Sequence, residues 1–222
     1  MPYPAVGVGC LAVLLAAGCS DSSNNLSSSD QAERMRAIFA VAARADDNAV
    51  EQLAPLVKDA DIKVASEAIV ALGRIRSDRA REVLQTVVTS EPRGDLRMWA
   101  ATGLAQHKDP KVVEVLRRAV SRDPAPKVRA AAAAAVGRIG TVDDAPYLAD
   151  AAMSENDQSV VRSEVTAIQS LVGVYFGYKP DAPPEARRAV LTRIRDQAAH
   201  LIRVRKGLDK PDNTCSHTAK GM

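Results

Sequence analysis

An apolar segment of about ten residues recurs through this chain at a regular interval. Clear copies begin at Val64, Leu96 and Val128, and weaker copies begin at Ala32 and Val161. This interval of about 32 residues is typical of repeat proteins, because each copy forms one unit that buries its apolar face on its neighbours. We therefore predict five stacked units.

A second apolar segment follows each of the first four copies. Leu53, Leu84, Leu116 and Leu148 lie in these segments and recur at nearly the same interval. Around them, apolar residues recur at i, i+3 and i+4, which is the spacing of one helix face. Each unit is therefore predicted to be a pair of antiparallel helices joined by a short turn, and the fold to be all-α.

The fourth copy, residues 127–140, is reduced to alanine over six positions but keeps Val128, Val136 and Gly137 in register with the other copies. Alanine favours a helix and leaves little side-chain volume between neighbours. We expect this helix to be the most closely packed of the first helices. Tryptophan at Ala132 or Ala133 should then overpack the fold.

The motif around Asp61 and Val64, followed by the Ala-Leu-Gly-Arg-Ile sequence of residues 71–75, resembles HEAT repeats, in particular the short kind also found in phycobilisome lyases. Residues 128–140 carry the motif again, and the resemblance covers roughly residues 31–175. It implies a right-handed α-solenoid of about five hairpins, which we place at residues 31–205. It also implies that Arg97, Arg129 and Arg162 each bond an acidic residue of an adjacent unit. Ala65 occupies the equivalent position in the second unit, so the series of arginines has a gap there.

Residues 6–18 form an apolar run that ends at Cys19. This run is shorter than the about 20 residues that span a bilayer and has the length of a signal-peptide core. The stretch from Leu15 to Cys19 resembles a bacterial lipobox, which implies a signal peptide over residues 1–18 and lipidation of Cys19. Ala16, where leucine is more usual, and a first segment without Lys or Arg leave two alternatives: an ordinary cleaved signal, or a start site further upstream.

Residues 19–30 are rich in Ser and Asn and are predicted to form a flexible tether behind the lipidated cysteine. By the same resemblance, Ser20 directs the protein to the periplasmic face of the outer membrane, so the expected location is the cell envelope. Residues 206–222 lack apolar periodicity and are predicted to be disordered. Cys215 in this tail is either an incidental thiol or the source of a mixed or intermolecular disulfide.

Composition and spacing argue against several kinds of site. Aromatic residues make up only 3% of the chain, and a net charge of +3 is too small to indicate nucleic-acid binding. The Cys and His residues show no metal-ligand spacing, and His107 lies in a predicted turn, where exposure to solvent is expected. We therefore predict no catalytic residue, no cofactor and no metal, and we expect that the protein is not an enzyme.

Three functions are compatible with these features. The first is a non-catalytic, membrane-tethered scaffold for an unknown protein partner. The second is an accessory subunit of an enzyme or lyase-like complex, and the third is a DNA-binding repeat protein with a false signal. In HEAT repeats the second helices line the concave side, so the resemblance places candidate partner-binding residues there: Arg81, Glu82, Gln85, Glu114, Arg117, Arg118 and Tyr147.

The last unit departs from the period. Its first helix is followed by Tyr175, Phe176 and Tyr178, which either close the end of the core or form a partner-binding edge. A last helix, from Glu185 to about Arg205, is predicted to cap the solenoid, because terminal repeats need a polar outer face. Its arginine-rich face is either solvated or in contact with anionic lipid.

Overall fold

The computed structural model describes residues 22–209, which form ten α-helices and four short 3-10 helices (η1 to η4). No β-strand occurs in this part of the chain, so the predicted all-α fold is confirmed. The elements in chain order are η1 (Ser22–Ser27), α1 (Gln31–Ala42), α2 (Asp47–Leu53), η2 (Ala54–Lys58), α3 (Ile62–Arg74), α4 (Asp78–Ser90), α5 (Gly94–His107), η3 (Pro110–Val112), α6 (Val113–Arg122), α7 (Pro126–Ile139), η4 (Val142–Asp144), α8 (Ala145–Ser154), α9 (Gln158–Val172) and α10 (Pro184–Arg205).

The helices stack in two rows. In the first-helix row, α1, α3, α5, α7 and α9 each pack against the next. In the second-helix row, α2, α4, α6, α8 and α10 do the same. The second helices of the first four units also pack against the first helix of the unit that follows. This stacking of hairpins is an α-solenoid, as the repeat period predicts.

Acidic residues set the starts of the helices at repeating positions. The Asp61 carboxylate accepts hydrogen bonds from the backbone amides of Lys63 and Val64 at the start of α3. Asp157, three periods later, caps α9 in the same way. The first amides of a helix have no partner within the helix, so a side-chain acceptor stabilises that end. Local sequence therefore determines where these first helices begin.

The core between the rows is built from two columns of buried side chains. One is leucine, contributed by the second helices, and its members are fully buried. The other is alanine, contributed by the first helices, and it is equally buried. Small and large residues thus alternate in the core of units two to four. The leucines are Leu53, Leu84, Leu116 and Leu148, and the alanines are Ala68, Ala100 and Ala132.

Helices α7 and α9 approach each other closely at Gly137. A β-carbon placed on Gly137 would lie 2.7 Å from the Ala167 α-carbon. Non-bonded carbon atoms prefer about 3.5–4.0 Å, so only glycine fits at this point without a backbone shift. The alanine-rich α7 is therefore packed as tightly against its neighbour as its sequence predicts.

A ladder of acidic residues lies at the ends of the second helices, and the family resemblance implies such partners without naming them. In each of the first four units, one acidic residue directly follows the last helical segment of the unit. These acidic residues recur at the period of the repeat. Each forms an ion pair with an arginine, so the column links the turns between units. The four acids are Asp59, Glu91, Asp123 and Glu155.

Two of these ion pairs are the ones that the family resemblance implies. The Arg97 guanidinium donates to both carboxylate oxygens of Asp123, at 2.7 and 2.8 Å. Arg129 donates to both oxygens of Glu155, at 2.6 and 3.0 Å. The third arginine of the implied set, Arg162, is exposed instead. The pairing thus holds for the two central arginines.

The gap at Ala65 is spanned by an arginine from the next unit. Arg93 donates to the Glu91 carboxylate at 2.6 Å and to the Asp59 carbonyl at 2.7 Å. The Asp59 carboxylate in turn lies 3.1 Å from Arg34 Nε. The ladder is therefore continuous across the position where the expected arginine is missing.

We expect Arg97→Ala to lower the free energy of unfolding by about 3 kcal/mol, because it leaves the Asp123 carboxylate buried without its cation. The matched control is Lys127→Ala, which removes the ion pair of Lys127 with Asp95. Both partners of that pair are about half exposed, so a change below about 0.5 kcal/mol is expected. Urea denaturation at pH 7 measures both. Equal losses in the two variants would contradict a structural role for the ladder.

The described part of the N-terminal tether is ordered, in contrast to the predicted flexible coil. Residues Ser22–Ser27 form η1, which packs against α1. The Ser28 hydroxyl donates to Glu33 at 2.6 Å, and Arg34 donates to the Ser28 carbonyl at 2.7 Å. Leu26 of the same tract packs against the apolar core.

The predicted signal peptide (1–18), Cys19 and Cys215 lie outside the described residues. Of the predicted tail, residues 206–209 are described, and they fold back on α10. The Asp209 carboxylate accepts from Arg203 at 2.7 Å and lies 3.3 Å from His200. Between residues 22 and 209, no helix is long and apolar enough to cross a bilayer.

Candidate functional site

The second-helix row carries the residues that the sequence suggests for partner binding. Glu114 and Arg118 are exposed on α6, and Arg118 Nε donates to the Glu114 carboxylate at 3.3 Å. Glu82 is exposed on α4, and Gln85 beside it is half-buried. These four polar side chains lie on neighbouring second helices and are open to a partner.

Arg81 is placed differently. Only 9% of the residue is exposed. Its guanidinium lies 2.8 Å from Asp78 on the same helix and 3.1 Å from Asp109, which caps η3 just before α6. Both terminal nitrogens of the guanidinium are thus paired with carboxylates of the protein itself. Arg81 thus joins unit two to unit three.

Arg117 and Tyr147 form a similar internal link between α6 and α8. The Arg117 guanidinium pairs with the buried carboxylate of Asp144 and lies 5.4 Å from the centre of the Tyr147 ring. The Tyr147 hydroxyl donates to the Arg117 carbonyl at 2.6 Å. A cation over an aromatic face is attracted by the ring quadrupole. These two candidates therefore hold the row together, although both keep partly exposed surfaces.

A groove of about 730 Å³ separates η2 from α4 on the same row. A second groove, of about 350 Å³, lies between α4 and α6 and is bordered by Arg118. Ser90 and Glu91 border both grooves, so the two are treated together as one surface. We call it the second-row groove. Its apolar wall comes from Val57, Val83 and Val87, and its charged rim from Lys58, Glu91, Arg93 and Arg118.

The three C-terminal aromatic residues have different surroundings. Phe176 is buried in the core. Tyr178 is half-buried, its hydroxyl donates to Gln158 at 3.1 Å, and burial raises the pKa of its phenol. Tyr175 is 80% exposed. Phe176 thus closes the end of the core, and Tyr175 alone of the three projects fully into solvent.

The arginine-rich face of α10 is partly used to fasten the preceding connection. Arg187 donates to the Pro180 carbonyl at 2.8 Å, and Arg193 donates to the Phe176 carbonyl at 2.9 Å. Helix α10 itself packs along α8 and η4. The helix therefore takes the place of a fifth second helix and caps the row, as predicted. Arg188 is exposed on it.

The chain is similar to known proteins both in its repeated sequence and in its fold. A family profile described as HEAT repeats matches residues 23–105 and 88–171. The chain belongs to the HEAT-repeat family. Among solved structures, it is similar to the complex of CpcE and CpcF of phycocyanin lyase from Nostoc sp. PCC7120. That likeness has a TM-score of 0.55 and 17% identity over 93% of this chain and 100% of the other, and it supports the fold alone. No curated protein matches the chain.

One HEAT unit carries a residue that breaks the alanine column. The column runs through Ala68, Ala100 and Ala132, and one period further on its position is occupied by Glu164 on α9. Glu164 is 1% exposed, and its carboxyl oxygens have no hydrogen-bond partner within the described residues. Burial is the main cause that raises the pKa of Glu164, to about 8. An alignment of the repeats to one another would have found this residue as an acid in an alanine column.

The sequence predicts that His107 lies in a turn exposed to solvent, but the structure does not place it in open solvent. The residue is half-buried at the end of α5, and burial lowers the pKa of its imidazole. The turn packs back on the HEAT unit before it, which a local sequence pattern does not reveal. Over residues 22–209, no group of three His, Cys, Asp or Glu side chains is placed to hold a metal ion.

Proposed function

We propose that this HEAT-repeat protein is a non-catalytic scaffold that binds another protein along its second-helix row. The observation that supports this is the second-row groove, which combines an apolar wall with a charged rim. Protein interfaces typically have an apolar core surrounded by polar residues. The exposed Glu114 and Arg118 extend the charged rim onto α6. The solenoid holds these groups on packed helices, so a partner meets a preformed surface.

Thr86→Arg tests the groove. Thr86 is an exposed residue that borders the groove, and its hydroxyl bonds only the Glu82 carbonyl of its own helix. Arginine there should fill the opening and reduce partner recovery at least about tenfold while leaving the fold intact. The matched control is Thr166→Arg on α9, an exposed threonine with the same i−4 bond, to Arg162. It lies on the first-helix row and should leave recovery unchanged.

The measurement is crosslinking in intact cells, followed by quantification of the proteins recovered with each variant. Circular dichroism melting checks that both variants are folded. The proposal fails if folded Thr86→Arg retains the partners of the wild type, or if Thr166→Arg loses them equally. Loss of the partners in Thr86→Arg alone is the expected outcome.

We also infer a membrane tether through a lipid on Cys19, with the solenoid in the cell envelope at the periplasmic face of the outer membrane. The lipobox-like end of the apolar run supports this. Wild type should incorporate a fatty-acid label and sediment with membranes. Cys19→Ala should lose the label and the sedimentation. A variant that still sediments, together with an unlabelled wild type, would overturn the tether without affecting the groove.

The second candidate is an accessory subunit of an enzyme or lyase-like complex. It is favoured by the structural likeness to the complex of CpcE and CpcF of phycocyanin lyase. The two candidates differ in what the purified protein carries. A visible absorption band in the purified protein would support the accessory role. A colourless protein that retains its partners through the second-row groove would support the scaffold.

A further inference from the structure

The buried Glu164 lines a cavity of about 240 Å³ that lies between the third, fourth and fifth units. The cavity is bounded by the C-terminal ends of α6 and α8, by the turns that follow them, and by α7 and α9. We call it the inter-unit cavity. Its charged and hydroxyl-bearing lining includes Arg122, Asp123, Arg129, Ser154, Glu155 and Glu164.

The charges in the cavity leave one acid unpaired. Arg129 is held by both oxygens of Glu155, and Asp123 is held by Arg97. Glu164 has no hydrogen-bond partner among the residues described. A buried carboxyl group without a partner costs free energy, unless a ligand supplies what the protein does not.

Two helix ends add hydrogen-bond acceptors to the cavity. Helix α6 ends at Arg122 and α8 ends at Ser154, and both ends border the cavity. The C-terminus of a helix carries a partial negative charge and unpaired carbonyl groups. The Ser154 hydroxyl donates to its own helix and keeps its lone pairs for an incoming donor. The cavity is thus rich in acceptors.

The shape and ligands indicate which cation fits. A volume of about 240 Å³ is below the range of about 300–1,000 Å³ that is usual for drug-sized ligands. It suits the head group of a single side chain or a small amine. An ammonium group has three N–H donors and a guanidinium has five, whereas a carboxylate only accepts. Donors and acceptors therefore match.

We propose that the inter-unit cavity binds one organic cation with N–H donors, an alkylammonium or a guanidinium group, whose charge is neutralised by Glu164. The group belongs either to a free small amine or to a Lys or Arg side chain of a bound protein. Glu155, Arg129 and Tyr178 are the charged and titratable groups that influence Glu164 from neighbouring elements. Because the pKa of Glu164 is raised to about 8, binding at pH 7 should release a proton.

Isothermal titration of the full chain at pH 7 tests the proposal with n-butylguanidinium and n-butylammonium. We expect saturable binding to the wild type and at least tenfold weaker binding to Glu164→Gln. Glu51→Gln, at an exposed glutamate of the first unit, should bind as the wild type does. Tetramethylammonium, which has the charge but no N–H donor, should not bind. Titrations in buffers of different ionisation enthalpy should show about one proton released per cation, and none in Glu164→Gln.

Two further experiments ask where the cation comes from and whether Arg122 of the protein itself occupies the cavity. An acetylated and amidated Gly-Arg-Gly tripeptide that binds more tightly than n-butylguanidinium assigns the site to a protein side chain, and the reverse order assigns it to a free amine. Binding that occurs only in Arg122→Ala would overturn the proposal, because Arg122 would then fill the cavity itself. Equal binding to folded Glu164→Gln, or no saturable binding by any probe, would also overturn it.

Discussion

Glu164→Gln is expected to raise the free energy of unfolding at pH 8 by on the order of 4–5 kcal/mol. Burial, together with the smaller effect of the nearby Glu155 carboxylate, raises the pKa of Glu164 from 4.5 to about 8. The folded protein therefore retains a proton that the unfolded chain releases above pH 4.5. Glutamine is neutral and has nearly the same shape, so it avoids the cost of ionisation.

Proton linkage sets the sign of the pH dependence. Between pH 4.5 and about 8 the folded state binds one more proton than the unfolded state, so stability of the wild type falls as pH rises. The expected slope is about 1.4 kcal/mol per pH unit in this window. In Glu164→Gln this contribution is absent. Other groups titrate in both proteins, so the difference between the two stability curves isolates Glu164.

Urea denaturation of both proteins from pH 5 to pH 9 measures this difference. Glu82→Gln, at an exposed glutamate, is the control and should follow the wild type. The two curves should be close near pH 5 and diverge up to about pH 8. A difference that stays constant over this range would show that Glu164 is ionised in the folded protein, and its burial without a partner would be contradicted.

Ala132→Trp should lower the free energy of unfolding by more than about 3 kcal/mol, or prevent folding altogether. Ala132 is fully buried on α7, where α7 packs against α5 and α9. The tight approach at Gly137 shows that α7 and α9 already pack closely, with no free space between them there. An indole therefore forces the units apart. Ala133, equally buried, should behave in the same way.

The matched control is Ala134→Trp, one residue further along the same helix. Ala134 is exposed, so the same side chain there points into solvent and should change stability by less than about 0.5 kcal/mol. Thermal melting followed by circular dichroism compares the variants. Unchanged melting temperatures for Ala132→Trp and Ala133→Trp would contradict the stacked arrangement of α5, α7 and α9.

Much of the fold could be predicted from the sequence, because local rules and the repeat period agree. The leucines at 53, 84, 116 and 148 lie on one helix face, and the structure buries all four. Asp61 starts a first helix and is one residue of the repeated motif. Each of these features depends on residues within one or two helical turns, so a linear pattern contains the information.

The candidate site was predictable only in part. The sequence placed Arg81 and Arg117 on the second helices. It did not show that Arg81 forms an ion pair with Asp109, or that Arg117 forms one with Asp144. Each of those pairs joins two residues that are far apart in the chain and belong to different units. The groove beside α4 arises from the spacing between second helices and has no local signature.

The sequence by itself determined that this protein is an all-α array of stacked hairpins, because the repeat period and the helical spacing of its apolar residues allow one way of burying them. Tertiary structure alone decided which polar side chains are paired and which is not. Arg97 finds Asp123, whereas Glu164 lies in an alanine column with no partner in the described chain. The physical reason is that burial and pairing depend on distances between units, which only the stacking of the helices sets.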